Sequence, residues 1–152
     1  MNIRTLNTGE LNLLFQIFDY NDCDEMIAEN TKDINEGNID IFGLFRENRL
    51  IGELHAAYIH NDKRFAIRNK RAYLFAFRIH KDFQGKGYGQ FLMNGVISIL
   101  AQKGHSEFTI GVEDNNDTAK HIYSKFGFTN LIGRINEEYQ GDRYEYVLYL
   151  KV

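Results

Sequence analysis

The sequence predicts an α/β domain in which helices cover both faces of a mixed central β-sheet. Apolar residues recur at helical spacing in four segments, and they alternate or cluster in six others. The elements follow the order β-α-α-β-β-β-α-β-α-β, which is typical of a sheet that contains parallel neighbours. The 152 residues contain no proline, linker or repeat, so we expect a single domain over residues 1–152.

The first half of the chain predicts a strand, two helices and a hairpin. Residues 2–6 alternate as in a short strand, and a capping-box pattern opens a helix at Asn7. Asp22 or Asp24 is predicted to cap the second helix. Residues 39–59 contain two alternating segments joined by a polar turn, which predicts a hairpin.

The second half predicts three strands separated by two helices. Residues 72–80 are apolar on nearly both faces, as in a central strand covered on both sides. A strand at 108–112, a helix capped by Asn115 or Asn116 and an aromatic strand at 144–150 complete the fold. The last strand is expected as a covered sheet edge or a dimer contact. The helix after residue 87 is predicted to bury six residues: Tyr88, Phe91, Leu92, Val96, Ile99 and Leu100.

The composition excludes several classes of protein. Cys23 is the only cysteine, so we expect neither a disulfide framework nor a multi-cysteine metal site, and buried packing is its expected role. No apolar run reaches the length of a membrane span, and the opening residues lack the apolar core of a signal peptide. We therefore expect a cytoplasmic protein that binds no metal and no membrane.

Charge is distributed unevenly, although the net charge is only −3. Residues 1–60 carry 4 Lys/Arg and 11 Asp/Glu, whereas residues 61–86 carry 8 and 2. This pattern indicates either two ligands of opposite charge or only a patchy solvated surface. The near-neutral total argues against a general nucleic-acid-binding protein.

A glycine-rich turn, residues 84–89, lies between the predicted central strand and a helix. Glycine allows a close backbone approach and positive φ, and the first amides of a helix attract anions, so the turn predicts an anion site. Tight helix–strand packing is the alternative interpretation. The phosphate-loop, dinucleotide and kinase patterns are not matched.

The residues Gln84-x-x-Gly87-x-Gly89 resemble the signature of the GNAT superfamily, the acetyl-coenzyme A (acetyl-CoA)-dependent N-acetyltransferases. A second segment is similar to the family's Asn-x-x-Ala-x-x-x-Tyr-x-x-x-Gly-Phe helix: Asn116, Ala119, Tyr123, Gly127 and Phe128. The resemblance implies the GNAT fold, with acetyl-CoA as cosubstrate and an amine acceptor as partner.

The resemblance also implies where the coenzyme binds. The central strand is expected to part from its neighbour, so that the pantetheine arm lies beside Phe77 and Ile79 like an added strand. Backbone amides of residues 84–89 are implied to hold the diphosphate. The implied coenzyme-binding residues are Phe77, Ile79, Gln84, Gly85, Lys86, Gly87, Tyr88, Gly89, Gln90, Asn116 and Tyr123.

The implied reaction is direct transfer, in which an uncharged amine attacks the thioester and the coenzyme leaves as its thiol. The amide of Ile79 is implied to polarise the thioester carbonyl, and Tyr123 to protonate the thiolate. Reference pKa values of about 10 for a phenol and about 8.5 for a thiol are close enough for that transfer. Spacing alone favours Tyr123 as a core residue, and it is the resemblance of the motif that favours the acid role.

The general base stays open, because residues 72–80 lack the glutamate that many members of the family carry there. Glu53, His55 and His80 are candidates by residue type, each also consistent with a structural role, and a water chain is another option. The missing carboxylate also leaves an alternative function, a non-catalytic acyl-CoA-binding sensor or interaction module.

The acceptor is expected against the first two helices and the hairpin, where GNAT acceptors usually lie. Six carboxylates fall in one short segment there: Asp22, Asp24, Glu25, Glu29, Asp33 and Glu36. They predict a cationic acceptor, such as a polyamine, an aminoglycoside-like amine or a basic peptide. A solvated helix face is the alternative. Both a monomer and a homodimer fit the sequence.

Overall fold

The computed structural model describes residues 1–139 and 141–152 and contains one seven-stranded sheet. The strands are β1 (Asn2–Thr5), β2 (Ile39–Arg46), β3 (Arg49–Ala57), β4 (Arg71–Ile79), β5 (Glu107–Glu113), β6 (Asn130–Tyr139) and β7 (Asp142–Lys151). Their order across the sheet is β1-β2-β3-β4-β5-β7-β6. β4 pairs with β5 in parallel, and the other neighbours are antiparallel. The predicted mixed α/β fold is confirmed.

Helical segments occupy the connections between these strands. They are a 3₁₀ helix (Thr8–Gln16), α1 (Cys23–Asn35), a short 3₁₀ turn (Lys81–Phe83), α2 (Tyr88–Gln102) and α3 (Asp117–Lys125). The Asn7 amide donates to the Glu10 carboxylate at 3.1 Å, as the capping-box pattern predicts. The Asp22 carboxylate, rather than Asp24, caps α1 by accepting from the Glu25 amide at 2.9 Å.

The two faces of the sheet are covered by different helices, as predicted. The 3₁₀ helix and α1 bury Leu11, Leu14 and Met26 against one face, with Ile39 and Ile41 of β2. Helices α2 and α3 lie on the other face. The fully buried residues of α2 are Leu92, Met93, Val96 and Leu100. Each such side chain contributes about 1.5–3 kcal/mol of burial free energy, so α2 is firmly held.

One predicted core residue of α2 is wrong. Phe91 is 44% exposed, whereas Met93, which the predicted set did not include, is fully buried. The helix buries a face centred between Leu92 and Met93. Phe91 lies on its edge, where periodicity alone does not separate a core residue from a surface one.

The structure also contains a strand that the sequence did not predict. β6 is polar and lies at the sheet edge, so only Ile135 of its side chains is buried among the described residues. A strand with so few apolar residues gives little periodic signal. As a result β7 lies between β5 and β6, so the prediction of a covered sheet edge is wrong, and the alternative of a dimer contact stays a prediction.

β4 and β5 pair over four residues before they separate. The pairs extend from Arg71–Glu107 to Leu74–Ile110. Beyond them β4 stays with β3 and β5 stays with β7, which leaves an opening in the sheet. Ala72 and Leu74 are buried, but residues 75–79 are only half-buried. The predicted double coverage of this strand therefore holds for its first half only.

A β-bulge at Ala76 sets which side chains of β4 face each side of the sheet. His55 pairs with Phe75 and Glu53 pairs with Arg78, so β4 has one extra residue. Ala76 adopts φ +51°. After the bulge Phe77 packs on the α2 face, and Arg78 contacts Glu53 on the α1 face.

We predict that Ala76→Gly leaves the free energy of unfolding unchanged or raises it by up to about 1 kcal/mol, because glycine adopts positive φ without the steric penalty of a Cβ. Ala72→Gly on the same strand is the control. It removes a buried methyl group, so we expect a loss of about 1–2 kcal/mol. Urea unfolding followed by circular dichroism measures both. An Ala76→Gly variant less stable than Ala72→Gly would contradict the bulge.

Candidate active site

The glycine-rich turn is open on its outer side. Gly85 and Gly87 have φ of +74° and +83°, and a Cβ at either position would meet no atom within 4 Å. Glycine is therefore required at these two positions because φ is positive, and not because a side chain would lack space. Gly87 is the N-cap of α2 and offers no side chain. The first amides of α2 have no partner within the helix, and they lie at its positive end, an arrangement that favours an anion.

Gly89 has a different role from the other two glycines. A Cβ there would lie 3.3 Å from Cζ of Phe77 and 3.6 Å from Cγ1 of Ile79. Its missing side chain lets the first turn of α2 approach the end of β4 closely. The two interpretations of the turn, anion binding and tight packing, thus apply to different glycines.

Cations gather around the ring of Phe83 beside this turn. The side-chain cations of Arg46, Arg49 and Lys86 lie 5.9, 5.2 and 5.9 Å from the ring centroid. Sequence reasoning named Lys86 but missed both arginines, which arrive from the β2–β3 hairpin. They add positive charge next to the helix N-terminus, which favours an anion.

Predicted residue Gln84 ties the turn to β4. Its Nε2 donates to the carbonyl of Ile79 at 2.9 Å. The His80 amide donates to Ile51 of β3 at 2.8 Å. Since the N–H groups of a strand alternate between its two edges, the amides of Ile79 and Phe77 point away from β3, into the opening.

Helix α3 lies across the opening from the turn. The Asn116 Oδ1 caps it by accepting from the Ala119 amide at 3.0 Å, and Asn116 Nδ2 makes no hydrogen bond to any described residue. The Tyr123 ring lies 6.4 Å from that of Phe77 and 6.3 Å from that of Phe128. Burial raises the pKa of Tyr123 above its ordinary value.

A cleft of about 320 Å³ joins the two sequence motifs. It is lined by Phe77, Gly89, Gln90, Asn94, Ile122, Lys125 and Phe126. The structure therefore brings Phe77, Gly89 and Gln90 together beside α3, as the predicted coenzyme site requires. The roles themselves stay predictions.

A second and larger cleft, of about 790 Å³, lies between the end of β5 and the β6–β7 hairpin. At its base a Cβ on Gly111 would lie 2.9 Å from the Tyr146 ring and 3.6 Å from the Tyr73 hydroxyl. Gly111 follows Ile110, where β5 leaves β4. The cleft therefore reaches the opening in the sheet from the side opposite α2.

Glu137 of β6 is part of this cleft. The Tyr146 hydroxyl donates to its Oε1 at 2.8 Å. Burial, with the charges of Glu137 and Tyr123 nearby, raises the pKa of Tyr73 to about 12. Sequence reasoning missed Glu137 because β6 itself was not predicted.

Two of the three predicted base candidates lie in a buried polar cluster on the α1 face. Glu53 Oε1 lies 2.7 Å from His55 Nε2 and accepts from the Tyr20 hydroxyl at 2.5 Å. Arg78 Nη1 lies 3.5 Å from the same oxygen. Glu53 Oε2 is buried without a hydrogen-bond partner among the described residues. Tyr20 and Arg78 meet Glu53 only through the fold, so sequence spacing gave no signal for them.

His80, the third candidate, has a local structural contact. Its Nδ1 accepts from the Asp82 amide at 3.1 Å and caps the short 3₁₀ turn. This bond uses the lone pair that Nδ1 would need to act as a base.

The acidic segment contributes a small pocket rather than a continuous face. Asp22, Glu25 and Glu29 line a pocket of about 290 Å³ together with Tyr20 and Arg78. A hydrogen bond with the Glu29 carboxyl and the negative charges of Glu29 and Asp22 raise the pKa of Glu25. The remaining predicted carboxylates, Asp24, Asp33 and Glu36, do not line it.

Two further sequence expectations were examined. Cys23 is exposed at the start of α1, which corrects the expectation of buried packing. Within residues 1–139 and 141–152, no group of three His, Cys, Asp or Glu side chains is arranged to hold a metal ion. No helix of that part of the chain has the length and apolarity needed to cross a membrane.

Comparison with known proteins gives a family for the chain. The model of the acetyltransferase (GNAT) family matches residues 9–128, which include both motifs and the opening. No curated protein matches the sequence.

Solved structures with the same fold include N-acetyltransferases with different acceptors. A ribosomal-protein-alanine N-acetyltransferase from Brucella melitensis is 16% identical with a TM-score of 0.75, over 100% of this chain and 99% of that one. A spermidine N-acetyltransferase from Vibrio cholerae is 20% identical with a TM-score of 0.76, over 100% and 95%. A ribosomal α-N-protein acetyltransferase solved with coenzyme A is 19% identical with a TM-score of 0.71, over 99% and 92%. At these identities the likeness shows the fold.

Proposed function

Because the chain belongs to the GNAT family of acetyltransferases, we propose that it transfers an acetyl group from acetyl-CoA directly to a primary amine. The observation that carries this proposal is the opening between β4 and β5, with an open anion-binding turn at one end. Clefts reach this opening from both faces of the sheet. Two substrates therefore meet there from opposite sides.

The diphosphate of the coenzyme binds at the turn. The amides of residues 84–89 surround it, and the cations around Phe83 offset its charge. Gly85 and Gly87 keep the turn free of side chains, so the backbone approaches the phosphates closely. The first cleft, beside α3, then leads from the turn toward Tyr123.

The pantetheine arm occupies the opening itself. The amides of Phe77 and Ile79 point there and have no strand partner on that side, since β4 and β5 pair only as far as Leu74. The Ile79 amide donates to the thioester carbonyl and stabilises the negative charge that develops on its oxygen. A donor of this kind contributes about 10²–10³ in rate. Asn116 Nδ2 supplies a further hydrogen bond to the arm.

Tyr123 protonates the departing thiolate. Burial keeps its phenol protonated at neutral pH, and the same low-polarity surroundings disfavour the thiolate. The first effect keeps the proton in place but weakens the phenol as an acid, and the second makes the thiolate a stronger base. Because the two shifts offset each other, the proton can still transfer once the carbon–sulfur bond breaks. The packing of the Tyr123 ring against Phe77 and Phe128 holds the hydroxyl in place.

The acceptor is a cationic amine. Carboxylates line both the larger cleft, at Glu113 and Glu145, and the pocket on α1, at Glu25 and Glu29. Structural relatives that act on spermidine or on protein N-termini also use amine acceptors. An amine with more than one positive charge fits these negative surfaces best.

We predict that Tyr123→Phe lowers kcat for acetyl transfer by about 10²-fold or more, because the thiolate loses its proton donor. Thiol release from acetyl-CoA is measured against a panel of amines, and the product mass identifies the acetylated amine. Tyr149→Phe is the matched control. Tyr149 packs on the same face of the sheet as Tyr123, and its hydroxyl makes no hydrogen bond to a described residue.

Equal rates for the two variants would contradict the acid role of Tyr123. Tight binding of acetyl-CoA with no turnover on any amine would instead support the alternative of a non-catalytic binding module.

We predict that the KM for amine acceptors falls as their positive charge rises, and that added salt weakens this trend because it screens surface charges. Monoamines, diamines and a tetraamine are compared at about 0.02 M and about 0.5 M salt. A KM that is independent of both charge and salt would exclude a cation-selective acceptor site.

A further inference from the structure

Tyr146 and Glu137 form a hydrogen-bonded pair at the base of the larger cleft. The Tyr146 hydroxyl donates to Glu137 Oε1 at 2.8 Å, and its ring lies over Gly111, within 3.0 Å of the point where a Cβ would stand. Gly111 is the first residue of β5 beyond its last pair with β4. The phenol of Tyr146 is therefore at the opening, on the side away from α2.

The proposed reaction needs a proton acceptor at this place. A primary amine is mostly protonated at neutral pH, since its pKa is close to the lysine value of about 10.4, and only the neutral form attacks a thioester. β4 carries no carboxylate between residues 71 and 79. Glu53, on β3, is fully buried, and its Oε1 already contacts Tyr20, His55 and Arg78. The Glu137 side chain, by contrast, is exposed, so a proton taken there returns to solvent.

On the basis of the proposed function, we propose that Tyr146 accepts a hydrogen bond from the acceptor amine and that Glu137 is its positioning residue. The ammonium N–H bond breaks as its proton moves to the Tyr146 oxygen, and the Tyr146 proton moves to Glu137. The neutral nitrogen then bonds to the thioester carbon. When the carbon–sulfur bond breaks, the thiolate gains the proton of Tyr123. The second nitrogen proton passes through solvent to the Tyr123 phenolate and restores the phenol, and the first proton leaves Glu137 for solvent.

The charged and titratable groups that face this pair are Asp62 and six residues around the same cleft: Tyr73, Glu113, Asp114, Arg143, Tyr144 and Glu145. Burial and the hydrogen bond to Glu137 raise the pKa of Tyr146, so its phenol passes its proton to Glu137 only as it takes one from the amine. Asp114 is bound by Lys120 and Arg134, which lower its pKa to about 2, so it stays ionised and takes no proton near neutral pH. Tyr73 keeps its proton because its pKa is raised to about 12. Glu137 is the carboxylate of the cleft that bonds directly to a phenol at the opening.

The test compares Glu137→Gln with Glu138→Gln. Gln keeps an oxygen that accepts from Tyr146 but takes no proton. Glu138 is the next residue on β6, and its side chain is 77% exposed beside Arg143, so it is the matched control. Rates are measured by thiol release with the best amine found for the wild type, from about pH 6.5 to about pH 10.

We expect Glu137→Gln to lower kcat by about 10²-fold at pH 7.5, with the KM for the amine changed by less than about threefold. The deficit should shrink about tenfold per pH unit, because a larger fraction of the amine is already neutral. Glu137→Asp should restore part of the rate, and Glu138→Gln should match the wild type throughout.

Three results would overturn the inference while leaving acetyl transfer intact. In the first, the kcat of Glu137→Gln equals that of Glu138→Gln. In the second, the loss of kcat in Glu137→Gln is the same at every pH. In the third, the KM of Glu137→Gln for the amine rises while kcat stays constant, as expected if Glu137 only binds the positive charge of the acceptor. A wild-type protein that binds acetyl-CoA and acetylates no amine would contradict the proposed function as well.

Discussion

The short pairing of β4 with β5 is the constraint on which the candidate site depends. After Leu74 and Ile110, β4 stays hydrogen-bonded to β3 and β5 stays hydrogen-bonded to β7. The sheet therefore opens between β4 and β5 while the strands on each side remain paired. Backbone amides in the opening then lack a strand partner. Unpaired backbone groups in a buried place cost free energy, so an extended polar ligand that bonds to them is favoured.

The opening also explains why the site uses both faces of the sheet. The bulge at Ala76 sends Phe77 and Ile79 toward α2 and Arg78 toward α1. The glycine-rich turn leads from β4 into α2 and so lies on the α2 face of the sheet. The cleft lined by carboxylates lies on the opposite face. Negative and positive surfaces are thereby separated by one layer of backbone, so under the proposed function a coenzyme and a cationic amine would not compete for the same surface.

The parts of this arrangement that were predictable from sequence are local. They depend on residues a few positions apart, so their patterns can be recognised in the sequence. They are the glycine-rich turn, the helix caps at Asp22 and Asn116, and the two helix motifs. The features that depend on the register between distant strands were not predictable from the sequence. Arg46 and Arg49 reach the turn only through the β2–β3 hairpin, and the bulge that aims Arg78 at Glu53 has no sequence signal. Glu137 lies in a polar edge strand that periodicity does not reveal.

Calorimetric titration with acetyl-CoA tests the central claim most directly. We predict measurable binding to the wild type and at least tenfold weaker binding to Gly87→Ala, because a Cβ at φ +83° distorts the turn that holds the diphosphate. Gly104→Ala places the same strain at the far end of α2, at φ +105°, and should bind as the wild type does. Absence of binding heat for the wild type at near-millimolar acetyl-CoA, or equal loss in both variants, would contradict the account.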